Sequence, residues 1–136
     1  MARIYKTAHG SVQLNFLEKD PLVAITQQFV ELDTNGLAVN ATATSTAIAF
    51  IVAGGELGSS KVQVVIDPNV VLEVETDRAI VDTDRNKEVD LVIVSGKLVA
   101  DLDASTTDVL KTLAVENFAQ ETQKILCVIN KPLTLG

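Results

Sequence analysis

The apolar positions of this chain alternate with polar ones, or run together over a strand's length, far more often than they recur at helical spacing. "KVQVVID" at 61–67, "VVLEVET" at 70–76 and "VDLVIV" at 89–94 carry that pattern most clearly. "LVAIT" at 22–26, "FVEL", "LAV", "TAIAFIVA", "AIV", "LVADL" and "QKILCVINKPL" read as further strands. Turn signals separate them: Asp33-Thr34-Asn35-Gly36, "GGELGSS" at 54–60, Pro68-Asn69 and Ser95-Gly96-Lys97. The first of these suits a tight hairpin, with Gly36 free to take positive φ, and Gly54, Gly55 and Gly58 permit similar turns in the second. About eight or nine short strands at turn intervals of about 8–12 residues predict a mainly β chain, either a small sandwich or a barrel.

Two stretches depart from that pattern. "STTDVLKTLAVEN" at 105–117 predicts one short helix. Ser105 can cap it, Asp108 suits its first turn, and Val109, Leu110, Leu113 and Ala114 form an apolar stripe. Residues 1–20 read as an extended N-terminal arm that ends at the "EKDP" break, leaving 21–136 as a single β-rich domain. An arm of this kind is often only a frayed terminus, but this one is apolar enough that docking, on this domain or on a neighbouring chain, is the other reading. Arg3, Ile4, Tyr5, Lys6, Val12, Leu14 and Phe16 are its candidate contacts. Alternation in "VQLNF" would let it add a strand to a partner's sheet edge, serving assembly more than folding.

Composition narrows the function. At 136 residues and 47% hydrophobic, the chain can bury a core, and with 4% aromatics that core must be aliphatic. No apolar run approaches the ~18 residues of a membrane span, and the first residues lack a signal peptide's apolar stretch. The lone Cys127 excludes an internal disulfide. Residues 1–17 carry +2 of a net charge of −7, leaving −9 on the rest; so acidic a body argues against nucleic acid as partner.

Candidate chemistry is sparse. In "DTDRNKEVD" at 82–90, Asp82, Asp84 and Asn86 alternate like calcium ligands. Lys87 and Ile93, however, stand where a helix-loop-helix calcium loop needs Gly and Glu. The stretch reads instead as an exposed hairpin tip, with Arg85 and Lys87 offsetting its acids and no metal bound. "AGGELGSS" lacks both phosphate-loop spacings. His9 has no assignable partner, and Cys127 reads as a buried thiol. Glu73 with Glu75, and Asp101 with Asp103, would share the solvated faces of strands. No catalytic, cofactor or metal residue is expected, and an enzyme is the weakest class.

The order of elements in "GSVQLNFLEKDPLVAITQQFVELDTNGLAVNATATSTAIAFIVAGGELGSSKVQVVID" resembles the small β domains of tailed-phage head decoration, or cement, proteins. The resemblance covers about residues 10–75 and leaves 76–136 unexplained. It implies a non-enzymatic virion protein on the outer capsid surface, with the major capsid protein lattice as partner. It also implies a homo-oligomer, a trimer ahead of a dimer because three-fold sites abound on icosahedral lattices. Alternatives are a phage tail, baseplate or fibre-attachment module, or a small carbohydrate- or ligand-binding β domain.

Overall fold

The structure, a computed structural model, describes residues 2–7, 14–113 and 122–134. Eleven strands are present among them: β1 (Arg3–Thr7), β2 (Asn15–Glu18), β3 (Phe29–Leu32), β4 (Ala38–Asn40), β5 (Ala49–Gly54), β6 (Lys61–Val65), β7 (Val70–Glu75), β8 (Glu88–Val94), β9 (Lys97–Asp101), β10 (Leu110–Thr112) and β11 (Lys124–Ile129). They form two antiparallel sheets, ordered β1-β7-β11-β10-β8-β9 and β2-β6-β5-β3-β4. Neither closes on itself, so the choice between sandwich and barrel falls to a small sandwich.

The core between the sheets joins Leu72, Val74, Leu91, Leu110, Ile125 and Ile129 of the first to Phe29, Phe50 and Val65 of the second. Phe29 and Phe50 are cross-strand partners and meet edge to face at 5.8 Å. The second sheet is covered on its other face as well, where Val30, Ala49, Val62 and Val64 pack with Leu17 and Leu133. Burial on both faces explains why Phe29 and Val30 are adjacent and both fully buried, a run that strict alternation would forbid.

The β3–β4 hairpin turns at Asp33–Gly36. The Asp33 carboxylate accepts the N–H groups of Asn35 and Leu37 at 2.8 and 3.0 Å, and Gly36 takes φ +79°. Gly54 (φ +82°) has a second constraint, because a Cβ there would lie 2.6 Å from the Lys61 carbonyl oxygen; Gly55 and Gly58 also have positive φ. Nothing lies within 4 Å of a Cβ on Gly36. Gly36→Val is therefore expected to cost about 1 kcal/mol from backbone strain alone, and Gly54→Val more. Urea melts ranking Gly36→Val below Gly54→Val in stability would contradict this reading.

Several expectations need correction. Residues 105–113 are not helical. The backbone N–H groups of Thr106, Thr107 and Asp108 instead wrap the Asp90 carboxylate at 2.8–3.0 Å, and Asp108 turns left-handed (φ +53°). Leu110–Thr112 then pairs with both β8 and β11. A helix of about three turns is marginal alone, and two ladders outweigh it; its expected end, 114–117, lies outside the described residues.

The described parts of the first twenty residues, 2–7 and 14–20, are not an arm apart from the body. β1 pairs with β7, β2 pairs with β6, and the second ladder runs on past residue 18 through Lys19 N–H to the Ser60 carbonyl at 3.0 Å. "LVAIT" is not a strand, because the Asn40 side-chain oxygen takes the N–H groups of Thr26 and Gln27 at 2.9 and 3.0 Å. "AIV" is not one either; it leads into a 3-10 turn at Asp82–Asp84, so 82–90 is no hairpin tip.

Candidate functional site

Charged side chains converge where that 3-10 turn packs against the ends of β8, β9 and β10. Arg78 grips Asp84 with two bonds of 2.7 Å, and its other edge holds Asp103 with two of 2.9 Å. Lys87 Nζ reaches Asp84 at 3.1 Å and the Leu102 carbonyl at 2.6 Å. The Val81 N–H donates to Asp84 Oδ2 at 2.8 Å, closing the turn. Thr112 Oγ1 donates to the Asp84 carbonyl at 2.6 Å and accepts the Lys87 N–H at 2.8 Å, tying the turn to β10.

Asp84 is 1% exposed. The Arg78 guanidinium holds its carboxyl well below the usual carboxylate range, against the opposing effect of burial. The calcium-like spacing therefore has a different explanation. Asp84 supplies a carboxylate, but Arg78 and Lys87 already hold the cationic positions around it. Asp82 faces Arg85 at 3.4 Å on the surface, and Asn86 takes φ +57° at the end of the turn. The expectation that Arg85 and Lys87 offset acids here stands. The expectation of an exposed tip does not, because Asp84 and Asp90 are both buried.

Asp90 is the second buried acid. Burial works to raise its pKa, but the N–H groups of Asp108, Thr106 and Thr107 together outweigh it and lower the value. Asp101 moves the other way: burial raises it, with Asp77 and Asp103 nearby adding to the rise. Glu73 was expected on a solvated face; it is 5% exposed, because the strands on either side bring Arg3 and Lys124 onto its carboxylate. Cys127 is fully buried, and burial pushes its thiol up, away from nucleophilic use.

These groups are the concentrated chemistry of the described residues, and each acid has its partners within the fold. The arrangement anchors loops to sheet ends. Among the described residues, an enclosed cavity of about 130 Å³ lies between Ala2, Gln27, Lys97 and Leu98. More open depressions of about 290 and 310 Å³ lie beside residues 25–28 with 51–54 and beside Glu75, Thr76 and Lys124; small-molecule sites span ~300–1,000 Å³.

The candidate contact residues fall into separate places. Arg3, Ile4, Tyr5 and Lys6 lie on β1, where Arg3 pairs with Glu73 of the same chain. Leu14 and Phe16 lie at β2, and Val12 is outside the described residues. Tyr5, Leu14 and Phe16 are 47%, 44% and 67% exposed. Sequence reasoning missed Arg78 as the partner of Asp84, and also Leu22 and Leu57, the most exposed large apolar residues described. Their only sequence signal was position: Leu22 follows Pro21 and Leu57 precedes Gly58, so both stand in turns. Comparison of the chain with protein-family models, with curated proteins and with solved structures finds no match.

Proposed function

We propose that this chain is a non-enzymatic structural protein of a virion, which binds the outer surface of an assembled capsid and stabilises it. The observation that supports this, among the described residues, is the side of the sandwich where each sheet ends in an edge strand. β1 and β2 are the outer strands of their sheets, beside β7 and β6, the consecutive strands that cross between sheets. That side therefore carries two strand edges together with exposed Tyr5, Leu14 and Phe16. The opposite edge of the first sheet is covered: Gln27 bonds Leu98 N–H and the Gly96 carbonyl at 2.9 Å, and Asp77 N–H reaches the Ala100 carbonyl at 3.0 Å. A strand edge that is unpaired among the described residues and has an apolar border is suited to another chain's strand or surface.

A protein that binds only the assembled lattice stabilises it by mass action, by about 2.7 kcal/mol at a hundredfold excess over Kd. A homo-oligomer, with a trimer ahead of a dimer, belongs to the same proposal. The test is to titrate the protein onto DNA-free shells of its source virus and follow their heat disruption by light scattering. Shells should melt higher as the protein saturates them, and Phe16→Ser should need more protein for the same shift. Shells that neither retain the protein on sedimentation nor melt later would sink the proposal.

A further inference from the structure

Two loops at the end of the second sheet, 19–25 and 54–60, are locked to each other. Gly58 N–H donates to the Pro21 carbonyl and Ile25 N–H to the Gly55 carbonyl, both at 2.7 Å, alongside the bond from Lys19 N–H to Ser60. Lys19, only 3% exposed, directs its ammonium at the carbonyls of Asp20 and Ser59, both at 2.8 Å. A Cβ on Gly55 would lie 2.9 Å from the Ile25 Cβ, so the loops approach as closely as glycine allows. Such a frame has little freedom left to lose on binding.

What the frame presents is apolar. Leu22 is 83% exposed, Leu57 72% and Val23 48%. The Gly58–Pro21 bond places the two leucines, each one residue from it, at the same tip. Around them Glu18, Asp20 and Glu56 are exposed, while the Lys19 charge is turned inward and Lys61 is the one exposed base of these segments. A rigid, protruding pair of leucines inside an acidic border is the shape of an interface anchor rather than of a surface that faces water.

We propose that this tip inserts into an apolar pocket bordered by lysine or arginine side chains on a partner protein. That partner is the capsid shell, which rests on the function proposed above. The acidic border opposes an anionic lipid surface, and it would set acid against acid if two copies met tip to tip.

The experiment compares three full-length proteins for binding to DNA-free shells at low and moderate salt: wild type, the double variant Leu22→Ser with Leu57→Ser, and Glu56→Lys. The double variant should bind at least tenfold more weakly at both salt concentrations. Glu56→Lys should lose affinity chiefly at low salt, where the border is unscreened. The isolated variants should melt within a few degrees of wild type, because exposed substitutions typically change stability by about 0.5 kcal/mol or less. Wild type that ignores shells overturns the capsid function and this assignment together. Wild type that binds, with the double variant binding equally well, overturns this assignment alone. A double variant that binds normally but sediments at lower mass than wild type would place the tip between copies of this chain, also overturning it.

Discussion

Asp84→Ala is expected to destabilise the fold by about 3 kcal/mol, a drop of roughly 10–15 °C in Tm for a domain of this size. The variant leaves Arg78 and Lys87 without the carboxylate they share and Val81 N–H without its acceptor. Both cations are a third exposed and can partly rehydrate, which keeps the effect at the lower end of that for a broken buried pair. Asp84→Asn, which still offers the turn an oxygen, should lose less. Asp82→Ala removes only an exposed pair and should cost about 0.5 kcal/mol or less.

The same carboxylate sets a dependence on pH. Asp84 and Asp90 both have folded pKa values below the ordinary carboxylate value of about 4. Their contributions are thus complete above that value and are lost as pH falls through the lowered folded values. Asp101, raised by burial, works in the opposite sense and offsets a part of this. Urea midpoints should fall steeply below about pH 4 in wild type and less steeply in Asp84→Asn. Parallel pH profiles for the two proteins would show that the Arg78–Asp84 pair does not carry the acid sensitivity.

That pair also marks where the sequence stopped being readable. β6, β7 and β8 were legible because the apolar pattern of each is local to its own strand. The β3–β4 hairpin was legible because Asp33 and Gly36 act within their own turn. Arg78 and Asp84 stand six positions apart with no strand or helix period between them, so only the folded turn brings them together. The missing helix has the same kind of cause. Ser105 and Asp108 are sound local helix signals, but the anion that gathers the N–H groups of Thr106, Thr107 and Asp108 comes from Asp90 on β8. "LVAIT" has the composition of a strand, yet its backbone is claimed by Asn40, fourteen positions from Thr26. In each case a side chain distant in sequence satisfied backbone groups that local pattern had assigned to regular structure.

Removal of residues 1–17 is expected to unfold the body or leave it close to unfolding, the reverse of what an independent arm would do. The truncation strips β1 from β7 and most of β2 from β6, leaving two inner strands as bare edges. It takes away Leu17, only 8% exposed in the core on the far face of the second sheet; burial of such a side chain contributes about 2 kcal/mol. It also deprives Glu73 of Arg3 while Lys124 stays 3.6 Å away, a loss of about 1–3 kcal/mol if the carboxylate remains buried. Together with the lost ladder bonds this approaches the ~5–15 kcal/mol that holds a typical domain folded. Because a truncated chain that aggregates yields no melt, Leu17→Ala in the full chain is the milder companion. It should cost about 2–3 kcal/mol, whereas Phe16→Ser, at an exposed position on the same strand, should cost far less. A truncated protein that melts within a few degrees of the full chain, with Leu17→Ala as stable as wild type, would make β1 and β2 dispensable ornaments of the sandwich. Failure of both, with Phe16→Ser stable but weak in shell binding, would assign one face of β2 to the core and the other to the partner.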